Sequence, residues 1–204
     1  MTTAVIDYGA GNLRSVANAL AAAGEPAPLV TRKPEEAARA DRIVLPGVGT
    51  YGACIAALGA VPGLVEALED TVLARGRPFL GICVGLQLLA EEGHEFGIHR
   101  GLGWIAGRVT RLAPQDPALP VPHVGWRALI PCGSAPVRLP SWAYFVHSFR
   151  LEADDPADVV AACDYGGPVV AAVCRGNILG VQFHPEKSQA EGLAFLAGFL
   201  RWRP

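Results

Sequence analysis

Two apolar patterns alternate along the first half of the chain. Continuous apolar runs at residues 3–6, 28–31, 42–45 and 78–82 are short enough to be buried strands. Between and after them, residues 13–23, 34–40, 51–60, 63–75 and 84–92 carry helical patterns. The first of these helices stops at Gly24, a natural C-cap, and the second starts on Pro34, which suits a first turn. Strands that alternate with helices predict a parallel sheet covered on both faces. Beyond residue 102 the pattern changes. Residues 103–111, 122–130, 142–151, 158–164, 168–174 and 177–183 all read as strands separated by Pro, Gly and Asp, a spacing that favours antiparallel pairing. A last helix over 189–202 sets Leu193, Leu196, Ala197 and Leu200 on one face. With no linker, low-complexity tract or repeat, the expectation is a single domain over residues 1–204. Its fold class is α/β: a layer sandwich with a central, mostly parallel sheet, helices on both faces and an antiparallel extension.

Composition narrows the function classes. A chain of 204 residues with 51% hydrophobic and 18% charged positions can bury a large core and is not of the disordered type. A net charge of −2 with no Lys/Arg block gives no nucleic-acid footprint. No apolar run is long enough to cross a bilayer, and the start at Met1 lacks a basic stretch followed by an apolar one, so a cytoplasmic protein is expected. The five cysteines are scattered and form no CxxC pair. That argues against a disulfide framework and against a zinc site, and predicts reduced, buried thiols.

Cys83 departs from that expectation. It sits where the fourth strand runs into a helix, in Phe79-Leu80-Gly81-Ile82-Cys83-Val84-Gly85-Leu86-Gln87. Gly81 and Gly85 flank it at i−2 and i+2, the spacing of a nucleophile elbow. Such a turn strains the backbone at the nucleophile and tolerates only small neighbours. The helix start behind it favours a thiolate, and the Val84 N–H points where an oxyanion would form. The plain alternative is a buried structural cysteine in a Gly-containing turn.

A thiolate acting on an amide needs a proton shuttle. His184 follows a strand directly, in Val181-Gln182-Phe183-His184-Pro185-Glu186-Lys187. Pro185 biases His184 towards an extended backbone, which projects His184 and Glu186 to the same side. A carboxylate there would set the imidazole's tautomer and stabilise its cation. A helix-cap or surface histidine is the alternative. Cys83 and His184 both lie at carboxyl ends of strands, where open α/β sheets build sites. Leu45-Pro46-Gly47-Val48-Gly49-Thr50 ends the third strand. It could cradle phosphate, donate backbone N–H groups at Val48 or Gly49 to an oxyanion, or be an ordinary turn. Glycines on both sides of Val48 leave those peptide planes free to turn, so the oxyanion hole is expected to be unfixed in the isolated chain. Gly9-Ala10-Gly11-Asn12-Leu13-Arg14 carries Arg14 where a dinucleotide fingerprint needs its third glycine, which excludes that use.

Together, Gly81–Gln87 and His184-Pro185-Glu186 resemble the class I, triad-type glutamine amidotransferases. Pro46-Gly47-Val48-Gly49, Pro122-His123-Val124-Gly125-Trp126 and Tyr144-Phe145-Val146-His147-Ser148 narrow the resemblance to the glutaminase subunits of imidazole glycerol phosphate synthases. The resemblance implies a Cys83–His184–Glu186 triad, an oxyanion hole from the N–H groups of Val48 and Val84, and glutamine bound by Gly49, Gln87, Glu95, His147, Ser148 and Phe149. Phe149 stands where the family has Tyr. Glu95 lies in Gly93-His94-Glu95-Phe96-Gly97, which alone reads as a polar surface loop. The resemblance also implies a cyclase partner subunit in a heterodimer, met near Asn12, His123, Tyr144 and Lys187, with no metal or other cofactor. Another glutaminase, of anthranilate or aminodeoxychorismate synthesis, is the alternative; those carry a Pro-Gly-Gly-Pro type loop in place of Pro46–Gly49.

Overall fold

The computed structural model describes residues 1–204. Its spine is an eight-stranded sheet in the order β2 (Leu29–Thr31), β1 (Thr3–Ile6), β3 (Arg42–Gly47), β4 (Phe79–Cys83), β14 (Ile178–Val181), β13 (Pro168–Arg175), β12 (Val159–Asp164), β9 (Ile130–Pro131). The first five strands run parallel, and β13, β12 and β9 continue antiparallel. β1, β3, β4 and β14 are buried at every position, as strands covered on both faces must be. The long helices are α1 (Leu13–Ala22), α3 (Tyr51–Gly59) and α6 (Gln189–Arg201), with shorter α2 (Pro34–Ala37) and α4 (Leu64–Glu69), the latter prolonged by a π-helical turn. Two smaller sheets complete the chain. One pairs β8 (His123–Ala128) with β10 (Trp142–His147), and the other has the order β11 (Phe149–Ala153), β7 (Gly107–Arg111), β5 (Glu92–His94), β6 (Ile98–Arg100).

Several elements differ from the sequence pattern. The helix expected over 84–92 is only α5 (Val84–Gln87). The chain leaves it because the carbonyls of Leu88, Leu89 and Ala90 accept from the amides of Leu102, Gly103, Trp104 and Ile105 instead of from a further helical turn. The same bonds keep residues 103–106 out of β7. The 142–151 strand breaks at Ser148 into β10 and β11, which join different sheets. α6 buries Phe195, Leu196 and Phe199 with Gly192, a face rotated from the Leu193–Leu200 stripe. Gly192 sets that rotation, since a Cβ there would overlap the Pro185 carbonyl. From it, Phe195, Phe183 and Phe145 stack edge-to-face at 5.6 and 6.0 Å, tying α6 to the end of β14 and to β10.

Candidate active site

β4 delivers Cys83 to the carboxyl edge of the sheet, and the backbone turns there at φ 55°, ψ −110°. This left-handed conformation is costly for a residue with a Cβ, and close packing maintains it. A Cβ on Gly81 would lie 2.6 Å from the Gly85 carbonyl oxygen, and one on Gly85 would overlap the carbonyl of Leu45 in β3. The two glycines therefore let α5 start hard against β3 and β4. Gly85→Ala is expected to cost about 3 kcal/mol of stability or more and to displace Cys83 from the sheet edge. Denaturant unfolding measures it; a loss under about 1 kcal/mol would show that the elbow can relax.

β14 brings His184 to the same edge. Its backbone is extended, φ −101°, ψ 97°, and Pro185–Lys187 form a single 3₁₀ turn behind it. The His184 amide donates to the Tyr144 carbonyl at 2.9 Å, and Ser188 Oγ donates to the His184 carbonyl at 2.7 Å while accepting from the Tyr144 amide. So anchored, His184 Nδ1 meets Glu186 Oε1 at 2.7 Å with both side chains nearly inaccessible. Nε2 is bonded to no other group, and Cys83 acts on the imidazole through both hydrogen bonding and charge. Burial alone would lower the imidazole's pKa; the pull of Cys83 and Glu186 outweighs it and raises His184 to about 9.

The remaining cysteines form a contrast. Burial pushes the Cys163 thiol up to about 12 and Cys174 up to about 11, and raises Cys54 as well. Each is held as a thiol and lacks an imidazole beside it. Cys132 is exposed, directly after the outermost strand β9. No group of His, Cys, Asp or Glu side chains is placed to hold a metal ion.

Cys83 and His184 open onto a cavity of about 390 Å³. The structure gathers Val48, Gly49, Val84, Gln87, Glu95, His147, Ser148 and Phe149 around it, with Lys187 at its edge. Glu95 corrects the surface-loop reading of its segment. The β5–β6 hairpin folds it inward to 9% exposure, and its Oε2 accepts the Tyr51 amide at the start of α3 at 2.6 Å. The Val48 loop is fastened from behind: Tyr8 Oη donates to the Pro46 carbonyl at 2.9 Å and Cys54 Sγ to the Val48 carbonyl at 3.3 Å. Gly49 takes φ +108°.

Among the expected partner-facing residues, Asn12 is exposed and caps α1 through Ser15, while Lys187 lies over the Tyr144 ring at 5.8 Å. His123 does not belong with them. It is fully buried, stacked between Tyr165 and Phe145, and its Nδ1 bonds His147 Nε2 at 3.0 Å. Burial first, and the neighbouring imidazole second, push His123 down to about 3. Sequence reasoning also missed Gln182, which is fully buried with its Nε2 at 3.7 Å from Cys83 Sγ. Its signal was a lone amide in the otherwise apolar run Ile178–Phe183.

The family model "Glutamine amidotransferase class-I" matches residues 4–201. The chain is 55% identical over 206 residues to "Imidazole glycerol phosphate synthase subunit HisH" of Zymomonas mobilis, covering 100% of this chain and 97% of that one. It is 50% identical over 214 residues to the protein of the same description from Rhodospirillum rubrum, covering all of both. Among solved structures, "Structure of PurLQS from Thermotoga maritima" superposes with a TM-score of 0.70 at 21% identity, over 97% of this chain and 93% of that one. Another, "Crystal structure of glutamine amidotransferase", gives 0.68 at 20% identity, over 96% and 98%. At these identities the structures speak to the fold.

Proposed function

The chain belongs to the class I glutamine amidotransferases, and from that membership we infer that it is the glutaminase subunit of an imidazole glycerol phosphate synthase. It hydrolyses glutamine and passes the ammonia to a cyclase subunit, which makes imidazole glycerol phosphate and aminoimidazole carboxamide ribotide in histidine biosynthesis. The full-length relatives at 50–55% identity favour this over the glutaminases of anthranilate or aminodeoxychorismate synthesis. No single helix is long and apolar enough to cross a membrane. A cytoplasmic setting would keep its five unpaired thiols reduced.

The observation that carries the mechanism is the buried line of Cys83, His184 and Glu186 at one end of the cavity. Cys83 gives its proton to the imidazole of His184. Sulfur attacks the glutamine amide carbon, and the Val84 N–H with the amides of the Val48–Gly49 loop receives the oxyanion. His184 gives its proton to the leaving nitrogen, ammonia departs, and a thioester remains. Neutral His184 then takes a proton from water; hydroxide adds, the C–S bond breaks, and thiolate and imidazolium return. Glu186 holds the Nδ1–H tautomer throughout. Glu95 faces the substrate's ammonium, and Gln87 with the backbone of residues 147–149 holds its amino-acid end.

The cyclase subunit is proposed to dock over the cavity mouth, against Asn12, Tyr144 and Lys187. Because Tyr8 and Cys54 fix the carbonyls of Pro46 and Val48, the Gly47–Val48 peptide between them is the part of the loop that docking would turn. Glutamate release is therefore expected to be slow for the chain alone and to rise by roughly 10²-fold or more, the worth of one oxyanion donor, when a cyclase subunit and its nucleotide are added. Equal rates with and without that partner, or identical amide exchange at Val48, would overturn the coupling.

A further inference from the structure

Behind the nucleophile lies a continuous line of side-chain hydrogen bonds whose direction is fixed at every link. The Phe149 carbonyl can only accept, so Gln87 must turn its Nε2 to it, at 2.9 Å. The second hydrogen of the same Nε2 goes to Gln182 Oε1 at 3.0 Å. Gln182 therefore accepts through its oxygen and has only Nε2 left for Cys83 Sγ, at 3.7 Å. On the far side His147 Nδ1 donates to the same Phe149 carbonyl at 2.9 Å, and its Nε2 accepts from His123 Nδ1 at 3.0 Å. Burial keeps both imidazoles neutral, as this shared hydrogen bond needs, with His147 lowered to about 4. Gln182 and Gln87 are 0% and 3% exposed. An apolar side chain would fill Gln182's place in the core at less desolvation cost, so the amide needs a reason that packing does not supply.

We propose that Gln182 is a further catalytic residue, an amide donor locked onto the Cys83 sulfur by Gln87 and the Phe149 carbonyl. The donor acts whenever sulfur carries the charge. That is before attack, when the C–S bond has yet to form and the C–N bond to break, and again at thioester hydrolysis, when the C–S bond breaks and the electron pair returns to sulfur. It stabilises the thiolate from the core side, while His184 faces it from the end of β14. The inference rests on Cys83 being the nucleophile.

The test is the rate of Cys83 alkylation by iodoacetamide in the full chain, followed by mass spectrometry from about pH 6 to about pH 10, the range over which thiols ionise. Parent, Gln182→Met and Gln87→Met are compared, with circular dichroism and melting to confirm the fold. The other titrating groups around the sulfur, His184, Tyr8 and Cys54, are the same in all three. Gln182→Met is expected to react about tenfold more slowly near pH 7 and at the parent's rate near pH 10, where the thiol ionises without help. Gln87→Met should shift in the same direction by less, because the Gln182 amide is then free to turn. A purely structural amide would leave the profile unmoved or slow it equally at all pH values, and either result in a folded Gln182→Met overturns the proposal. Should Gln182→Met not fold, the Gln87→Met profile decides in the same way. The parent arm tests the premise separately: labelling of Cys132 in preference to Cys83 would sink the nucleophile assignment itself.

Discussion

Cys83→Ala is expected to abolish glutamate release, with a fall of at least ~10⁴-fold in kcat/KM. The alanine leaves little else changed. The side chain is 4% exposed and loses one atom, the strained turn keeps the same Cβ, and Gly81 and Gly85 still seat α5 against β3. What goes is the step that divides amide hydrolysis in two. Water would have to attack the amide directly, with His184 as base and no thioester to hold the acyl group. The cavity and its oxyanion donors remain, so glutamine should bind with an affinity close to the parent's. Side-by-side assays of glutamate release, in the presence of a cyclase subunit and nucleotide, with calorimetric titration of glutamine, separate the two effects. Release above about 1% of the parent rate would mean that another group supplies the nucleophile. Cys54, Cys163 and Cys174 are poor candidates, since burial holds each as a thiol.

The candidate nucleophile was legible in the sequence because its constraints are local. Two glycines, a strand and a helix start all lie within seven residues, and the close approaches at Gly81 and Gly85 show why no other residue fits. His184 and Glu186 were legible for the same reason: one proline between them fixes how both project. Residues placed by long-range contacts were not. Glu95 reaches the cavity only because the β5–β6 hairpin folds its segment back onto the start of α3. That hairpin exists because α5 stops early, and α5 stops because amides of residues 102–105 capture its following carbonyls. Apolar periodicity over 84–92 carries no trace of that competition. The burial of His123 has a similar origin. In β8 it alternates with exposed Val124, and only the pairing with β10 decides which of the two faces the core.

Glu186→Gln is expected to lower kcat/KM by about 10²–10⁴-fold, and its pH dependence identifies the cause. In the parent, burial opposes the His184 cation, but Cys83 and Glu186 hold it to about 9 against an ordinary 6.5. A neutral amide at position 186 removes the carboxylate's share while burial stays. The imidazole then loses its proton at lower pH, and Gln can present an N–H to Nδ1 and so favour the wrong tautomer. The alkaline limb of kcat/KM, which reports free-enzyme groups, should therefore move from near 9 towards neutrality. Stability must follow the same linkage. A group whose folded pKa is raised contributes its full stabilisation below its unfolded value, here 6.5, and loses it as pH climbs through about 9. Denaturant unfolding of the parent should thus show stability falling across that window, and the variant should show a weaker slope. An unchanged alkaline limb together with an unchanged slope would mean that Glu186 does not govern the His184 proton. The 2.7 Å contact would then serve packing alone.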